Sequence, residues 1–262
     1  FARYYLDAPV FSHVIGHTGL SEKDDRVVGK IGLEASYDDV LRGKDGGVVQ
    51  YRDAHGQILD TKVVRASVSG NELTTTLGAE LQRYFYQRLQ QGLAALGRDT
   101  GVGIALDPRR GEVLALISIP GFDNNRVEKY LVDQRQPLFN RAISGLYTPG
   151  STIKPLVALA ALKEEVIAPD AEVFSSGAIE IPNPYHPEEP SRFLDWKPHG
   201  WVDVRSALAR SSNVYFYAVG GGLPRRDITP VRGTESIKGL GIEKLKEYWQ
   251  KFFLGQKSGI DM

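Results

Sequence analysis

Ser151 and Lys154 stand three residues apart in the run Tyr147-Thr148-Pro149-Gly150-Ser151-Thr152-Ile153-Lys154-Pro155, and an i, i+3 pair shares one helical face. The stretch from Ser151 to Glu165 is rich in Ala and Leu and predicts a buried helix entered through Pro149-Gly150. At a helix start, unpaired N–H groups and the positive end of the helix dipole favour a developing alkoxide on Ser151 and disfavour an ammonium on Lys154. The chemistry on offer is a serine nucleophile beside a lysine base. Pro155 suits a first turn and no helix interior. A bare S-x-x-K spacing also describes a capping serine followed by a solvated lysine.

Further along, Ser211-Ser212-Asn213 interrupts the apolar helical pattern of Val204 to Val219, just before Tyr215-Phe216-Tyr217. Ser and Asn compete for backbone hydrogen bonds, so the triplet predicts a helix break that projects Ser211 and Asn213 into a cleft. An ordinary helix-loop junction has the same composition. Other chemistries are excluded more directly. No G-x-S-x-G elbow, phosphate loop, complete dinucleotide fingerprint or H-E-x-x-H motif occurs. The absence of cysteine removes disulfides and thiolate nucleophiles. Lys plus Arg equals Asp plus Glu, 32 against 32, so no nucleic-acid partner is expected.

The elements that must position these residues follow from the pattern. With 42% hydrophobic and 24% charged residues, the 262-residue chain has the composition of a globular protein. Its first seventy or so residues alternate short β-like runs with glycine turns, such as Val48 to Arg52 and Gln57 to Val64, which predicts a small β-rich module. Thr75 to Gly97 is predicted helical, with Gly97 as its stop, and this places a domain boundary near residue 72. Gly101 to Leu106 and Glu112 to Ile119 flank Asp107-Pro108-Arg109-Arg110-Gly111 as a hairpin, expected to supply central-sheet strands. Ile242 to Phe253 is another helix, and the proline-rich stretch between Ala168 and Pro198 is expected to be irregular surface. No run of 18 apolar residues is present, and both ends look cut, so a fragment is expected.

Together, in this order, the two polar motifs resemble the penicillin-binding transpeptidase and serine β-lactamase superfamily. The surrounding words sharpen the resemblance to class B penicillin-binding proteins of the elongation type: Phe139-Asn140-Arg141-Ala142, Asp195-Trp196-Lys197 before His199-Gly200, and Ser211 to Tyr217. Val28 to Glu34, Tyr37-Asp38 and Leu41-Arg42-Gly43 resemble the family's pedestal module, and Gly111 to Leu116 its first sheet hairpin.

The resemblance implies an α+β or α/β fold: a β-rich pedestal, or dimerisation-like, module over 1–72, then the N-terminal part of a transpeptidase domain over 73–262, whose mainly antiparallel sheet is flanked by helices. It implies a peptidoglycan D,D-transpeptidase of lateral cell-wall elongation and cell shape, acting on stem peptides and trapped by β-lactams. Ser151 would be the nucleophile, Lys154 the base in acylation, Ser211 a proton relay, and Asn213 a partner of Lys154 and the substrate amide. The oxyanion hole would use the Ser151 N–H and a second one from a later strand. The implied setting is the outer, periplasmic face of the cytoplasmic membrane, with the anchoring helix absent here and a polytopic membrane glycosyltransferase as partner. No cofactor is implied.

Two departures from the family stand out. Lys257-Ser258-Gly259 has the composition of the third motif, but Gly255 to Asp261 resembles a structural turn that precedes that motif, so Lys257 is expected far from Ser151 and the chain alone is expected to acylate negligibly. Some elongation-type relatives carry zinc near the acyl site. Asp195 and His199 fit two of its positions, yet the aspartate expected near Ser175 or Ser176 is missing, so no metal is expected. His13, His17, His55 and His186 are expected to be surface or packing residues. A serine β-lactamase remains as an alternative, as does a non-catalytic cell-shape interaction module.

Overall fold

The alternating front of the chain forms short antiparallel ladders separated by single-turn helices. The computed structural model describes residues 3–24, 26–183, 185–186, 188–223 and 229–262. Contacts divide the chain into two units, Phe1–Leu146 with Ile260–Met262, and Tyr147–Gly259. The first begins with α1 (Ser12–Ile15), β1 (His17–Leu20), β2 (Val27–Ile31), α2 (Gly32–Ser36) and α3 (Asp38–Leu41). One turn each is too short for a helical period to show, which is why the reading of a β-rich module does not include these helices. Gly29 is required where α2 folds back: a Cβ there would lie 1.8 Å from the Glu34 carbonyl oxygen.

Next come β3 (Gly47–Arg52) and β4 (Ile58–Arg65), paired with Val48 opposite Val63, and β4 is exposed along its whole length. The predicted helix is α4 (Ala79–Ala95), and Gly97 follows it at φ +64°. The hairpin is β5 (Gly101–Asp107) and β6 (Glu112–Ile119), closed by the Asp107 carboxylate accepting from the Arg109 N–H at 2.9 Å. Among the described residues these strands pair only with each other. Gln82 of α4 is fully buried and clamps the unit: its amide donates to the Leu116 and Val10 carbonyls at 2.8 and 3.0 Å, and its oxygen accepts from the Leu116 N–H at 2.9 Å. Residues on either side of position 72 are thereby joined. Helix α5 (Arg141–Ser144) ends this unit.

The second unit carries α6 (Lys154–Lys163), β7 (Glu172–Ser175), β8 (Ala178–Ile181), β9 (Ser191–Leu194), β10 (Gly200–Val202), α7 (Val204–Ala209), α8 (Asn213–Gly221), β11 (Val231–Arg232) and α9 (Gly241–Lys251). The stretch expected to be irregular is thus corrected, since β7, β8 and β9 all lie within it. The reason is placement: Pro182 directly follows β8 and Pro190 directly precedes β9, so neither occupies a strand, while Pro184 and Pro187 lie outside the described residues. Strand β7 sits between β10 and β11, and β8 pairs with β9, all antiparallel. Helix α6 packs on α8 and α9 around buried Val157, Ala160, Ala161, Val173, Val214, Tyr215 and Val219. Each large apolar side chain withdrawn from water contributes about 1.5–3 kcal/mol. The architecture is mixed α and β with antiparallel ladders, as the sequence implies.

Candidate active site

Ser151 lies in a 3-10 turn, Gly150–Ile153, that leads into α6, and not in the first α turn itself. Pro155 accounts for the difference. An α-helical bond to the Ser151 carbonyl needs the N–H of residue 155, which proline lacks, so that carbonyl accepts from Lys154 in the tighter turn. Ser151 is exposed, whereas Lys154, the first residue of α6, is buried.

The Ser211-Ser212-Asn213 triplet breaks the helical stretch into α7 and α8. Asp203 caps α7 by accepting from the Ser206 N–H at 2.8 Å, while the Ser206 hydroxyl accepts from the Asp203 N–H at 3.0 Å. At its other end, the Ser211 N–H donates to Leu208 O at 3.1 Å and the Ser212 N–H to Ala207 O at 2.9 Å, the paired bonds of a Schellman stop. Such a stop puts one residue in the left-handed region, usually glycine. Here Ser211 occupies it, at φ +54°.

These two turns bring all four predicted residues together. Lys154 Nζ donates to Asn213 Oδ1 at 2.7 Å, to the Ser211 carbonyl at 2.8 Å and to Ser211 Oγ at 3.1 Å. The Ser211 hydroxyl in turn donates to Ser151 Oγ at 3.0 Å. The hydrogen-bonded path between lysine and outer serine therefore runs through Ser211. Burial pushes the Lys154 amine below the ordinary lysine value, and the Asp195 carboxylate partly restores it. Lys257 sits in the irregular, exposed chain after α9.

Asp195, named above in a family word and as a metal candidate, has a different surrounding. Its side chain is fully buried. Oδ2 accepts from Ser212 Oγ at 2.8 Å, Ser175 Oγ at 3.1 Å and the Val214 N–H at 3.1 Å. Oδ1 accepts from the Asn213 N–H at 2.9 Å and the Trp196 N–H at 3.0 Å. Burial alone pushes this carboxyl up, but the bonds from Asn213, Ser212, Val214 and Trp196 outweigh it and hold it below the usual carboxylate range. The sequence named Ser212 only within the helix-breaking triplet and Ser175 only as a place where an aspartate is missing, and gave neither a part in this cluster, since a buried serine leaves no periodic signal to find.

The zinc suggested by the family resemblance does not fit this cluster. His199 Nε2 lies 3.6 Å from Asp195 Oδ1, and neither buried ring nitrogen has a hydrogen-bond partner among the described residues. An orphaned imidazole is a plausible metal donor. However, a carboxylate offers about four lone-pair sites, and five donors already claim those of Asp195. The remaining neighbours, Ser175 and Ser212, are neutral alcohols, and no three His, Cys, Asp or Glu side chains gather among the described residues. A structural zinc takes four ligands.

Two family models match the chain: the penicillin binding protein transpeptidase domain over residues 101–262 and the penicillin-binding protein dimerisation domain over residues 1–75. The chain is similar to the peptidoglycan D,D-transpeptidase MrdA of Haemophilus influenzae, 31% identical over 289 residues covering 100% of this chain and 40% of that protein. With its counterpart in Acinetobacter baumannii it is 32% identical, over 99% of this chain and 38% of that one. The chain thus spans about two fifths of these relatives. Among solved structures it is similar to PBP2 of Pseudomonas aeruginosa, with TM-score 0.70 and 28% identity over 99% of this chain and 52% of the other. PBP2 of Helicobacter pylori, solved in complex with MreC, gives TM-score 0.72 and 28% identity over 98% and 47%.

Proposed function

Because this chain belongs to the penicillin-binding protein transpeptidase family, we propose that it carries the acyl-transfer centre of a peptidoglycan D,D-transpeptidase of cell-wall elongation, with Ser151 as nucleophile. The observation that supports this most is the continuous path from Lys154 through Ser211 to Ser151, with Asn213 on the same amine. In this reading Ser151 Oγ attacks the carbonyl carbon of the penultimate D-Ala of a stem peptide. Its proton passes to Ser211 as the Ser211 proton passes to neutral Lys154. The C–N bond then breaks, the terminal D-Ala leaves with the proton returned through Ser211, and an ester to Ser151 remains. An amine of a neighbouring stem attacks that ester and frees Ser151. β-Lactams enter by the same attack and stay bound.

The partners and setting belong to the same proposal. Residues 1–72 act as a pedestal, the dimerisation-domain match over 1–75 supports that assignment, and it speaks against the β-lactamase alternative. An MreC-like cell-shape protein and a polytopic membrane glycosyltransferase are the proposed partners, the former because the Helicobacter pylori relative was solved with MreC. The proposed place of action is the outer face of the cytoplasmic membrane. No described helix is long and apolar enough to cross it. Lys257 takes no part in the site.

The test is labelling of the natural-length protein with a fluorescent penicillin, followed by peptide mapping. Label on Ser151, lost in Ser151→Ala and kept in Lys257→Ala, is expected. Label on another residue overturns the assignment.

A further inference from the structure

The first three N–H groups of α8 have no partner within the helix, as at every helix start. Here Asn213 and Val214 donate to Asp195 and Tyr215 donates to the Ser212 hydroxyl, which itself donates to Asp195. The carboxylate is held in turn by Ser175 and the Trp196 N–H. Asp195 itself follows β9, and its N–H is bonded to Gly177 O at 2.9 Å, so the anchor is tied to the sheet side of the unit. One buried side chain thus connects the β8–β9 hairpin to the turn carrying Ser211 and Asn213, with no hydrogen bond to Ser151 or Lys154 among the described residues.

We propose that Asp195 is a positioning residue for acyl transfer, fixing the Ser211–Asn213 turn by hydrogen bonds and without a zinc ion. The proposal rests on the reading of Ser151 as nucleophile. Ser211 must hold two partners while its backbone sits in a conformation serine disfavours, by about 1–2 kcal/mol for a non-glycine residue. A turn under that tension needs a second hold, and charge-assisted bonds onto a carboxylate are stronger than neutral ones. An asparagine at 195 keeps the shape but presents one oxygen and an N–H₂, which cannot accept from all of the N–H groups of Trp196, Asn213 and Val214.

The experiment compares penicillin acylation of natural-length wild type, Asp195→Asn and Ser175→Ala, measuring the limiting rate and the half-saturating penicillin concentration separately. Asp195→Asn should lose about tenfold or more in limiting rate with half-saturation within about threefold, as misplacement of reacting groups acts on the chemical step. Ser175→Ala, which leaves every bond from the turn to Asp195 in place, should stay within about threefold of wild type in both. A wild-type limiting rate in folded Asp195→Asn overturns the inference while leaving Ser151 as nucleophile. If Asp195→Asn does not fold, Ser212→Ala decides: a limiting rate reduced about fivefold supports the inference and an unchanged one overturns it.

If wild type takes no label, the functional reading falls. Amide hydrogen exchange then judges Asp195: protection of Asn213 and Val214 should drop about tenfold or more in Asp195→Asn, and unchanged protection refutes the positioning role. Metal analysis of wild type purified with zinc present should find well below one zinc per chain. One zinc per chain, absent from Asp195→Asn, overturns the metal-free reading.

Discussion

In the β3–β4 ribbon Val48 to Tyr51 pair in unbroken register, with shifts only beside Gly47 and Arg52, yet β4 is exposed along its length and the cross-strand pair Val48 and Val63 faces water. In the turn from Arg210 to Asn213 the backbone is irregular and one residue is left-handed, yet Ser212 is fully buried and Asp195 beside it is withdrawn from solvent. The ribbon is held by bonds between its own strands. The turn is held by side chains that arrive from other elements. Regularity of the backbone and fixity of a position are therefore separate properties, and the chain puts the neighbours of the proposed nucleophile where the second is high and the first is low.

The largest expected effect is at Lys154. Lys154→Arg keeps a cation but cannot release a proton at working pH, so acylation should fall about 10²- to 10⁴-fold. Stopped-flow acylation with far-ultraviolet circular dichroism on the same sample checks this, and near-normal acylation by the folded variant would mean that Lys154 only positions the substrate. In the proposed mechanism the neutral amine is the active form. Burial lowers the Lys154 pKa, so acylation should rise with pH through an inflection below the ordinary lysine value of 10.5. An inflection above that value contradicts the burial argument.

Ser211 comes next, because there comfort and chemistry oppose each other. Ser211→Gly relieves a left-handed residue and should stabilise the fold by about 0.5–1 kcal/mol in thermal melts, while acylation drops about tenfold or more for want of the relay hydroxyl. A variant that loses stability would show that the hydroxyl's bonds outweigh the backbone strain. Ser212→Ala removes the cap of α8 and one bond to Asp195, a loss of about 1–2 kcal/mol in chemical denaturation. The smallest effect belongs to the ribbon: Val63→Thr, in exposed β4, should change stability by no more than about 0.5 kcal/mol. If it costs as much as Ser212→Ala, the contrast between the two regions collapses.

How legible each region was in the sequence follows the same division. Period and punctuation announced β3, β4, α4, β5 and β6, because strands and a long helix write their pattern locally. The helix break at Ser211 was legible from its polar triplet. The 3-10 entry at Ser151 was less so, although Pro155 encodes it. Strands β7 to β9 were hidden by prolines that turn out to lie between strands. The Asp195 hub was not legible at all, since its donors come from Ser175, Trp196, Ser212, Asn213 and Val214, and no local period relates such positions.

Ser212 also sets a length. Its N–H closes α7 on Ala207 O, and its hydroxyl opens α8 on the Tyr215 N–H, so one residue ends the first helix and begins the second across the short joint Arg210 to Ser212. At 3.6 residues per turn, one residue added here would rotate α8 by about 100° about its axis. Asn213 would swing away from the Lys154 amine, and the apolar face that packs on α6 would turn with it. This joint accepts a change of letter far more readily than a change of count: a single inserted or deleted residue between Arg210 and Asn213 would disable the centre even if every side chain named above were retained.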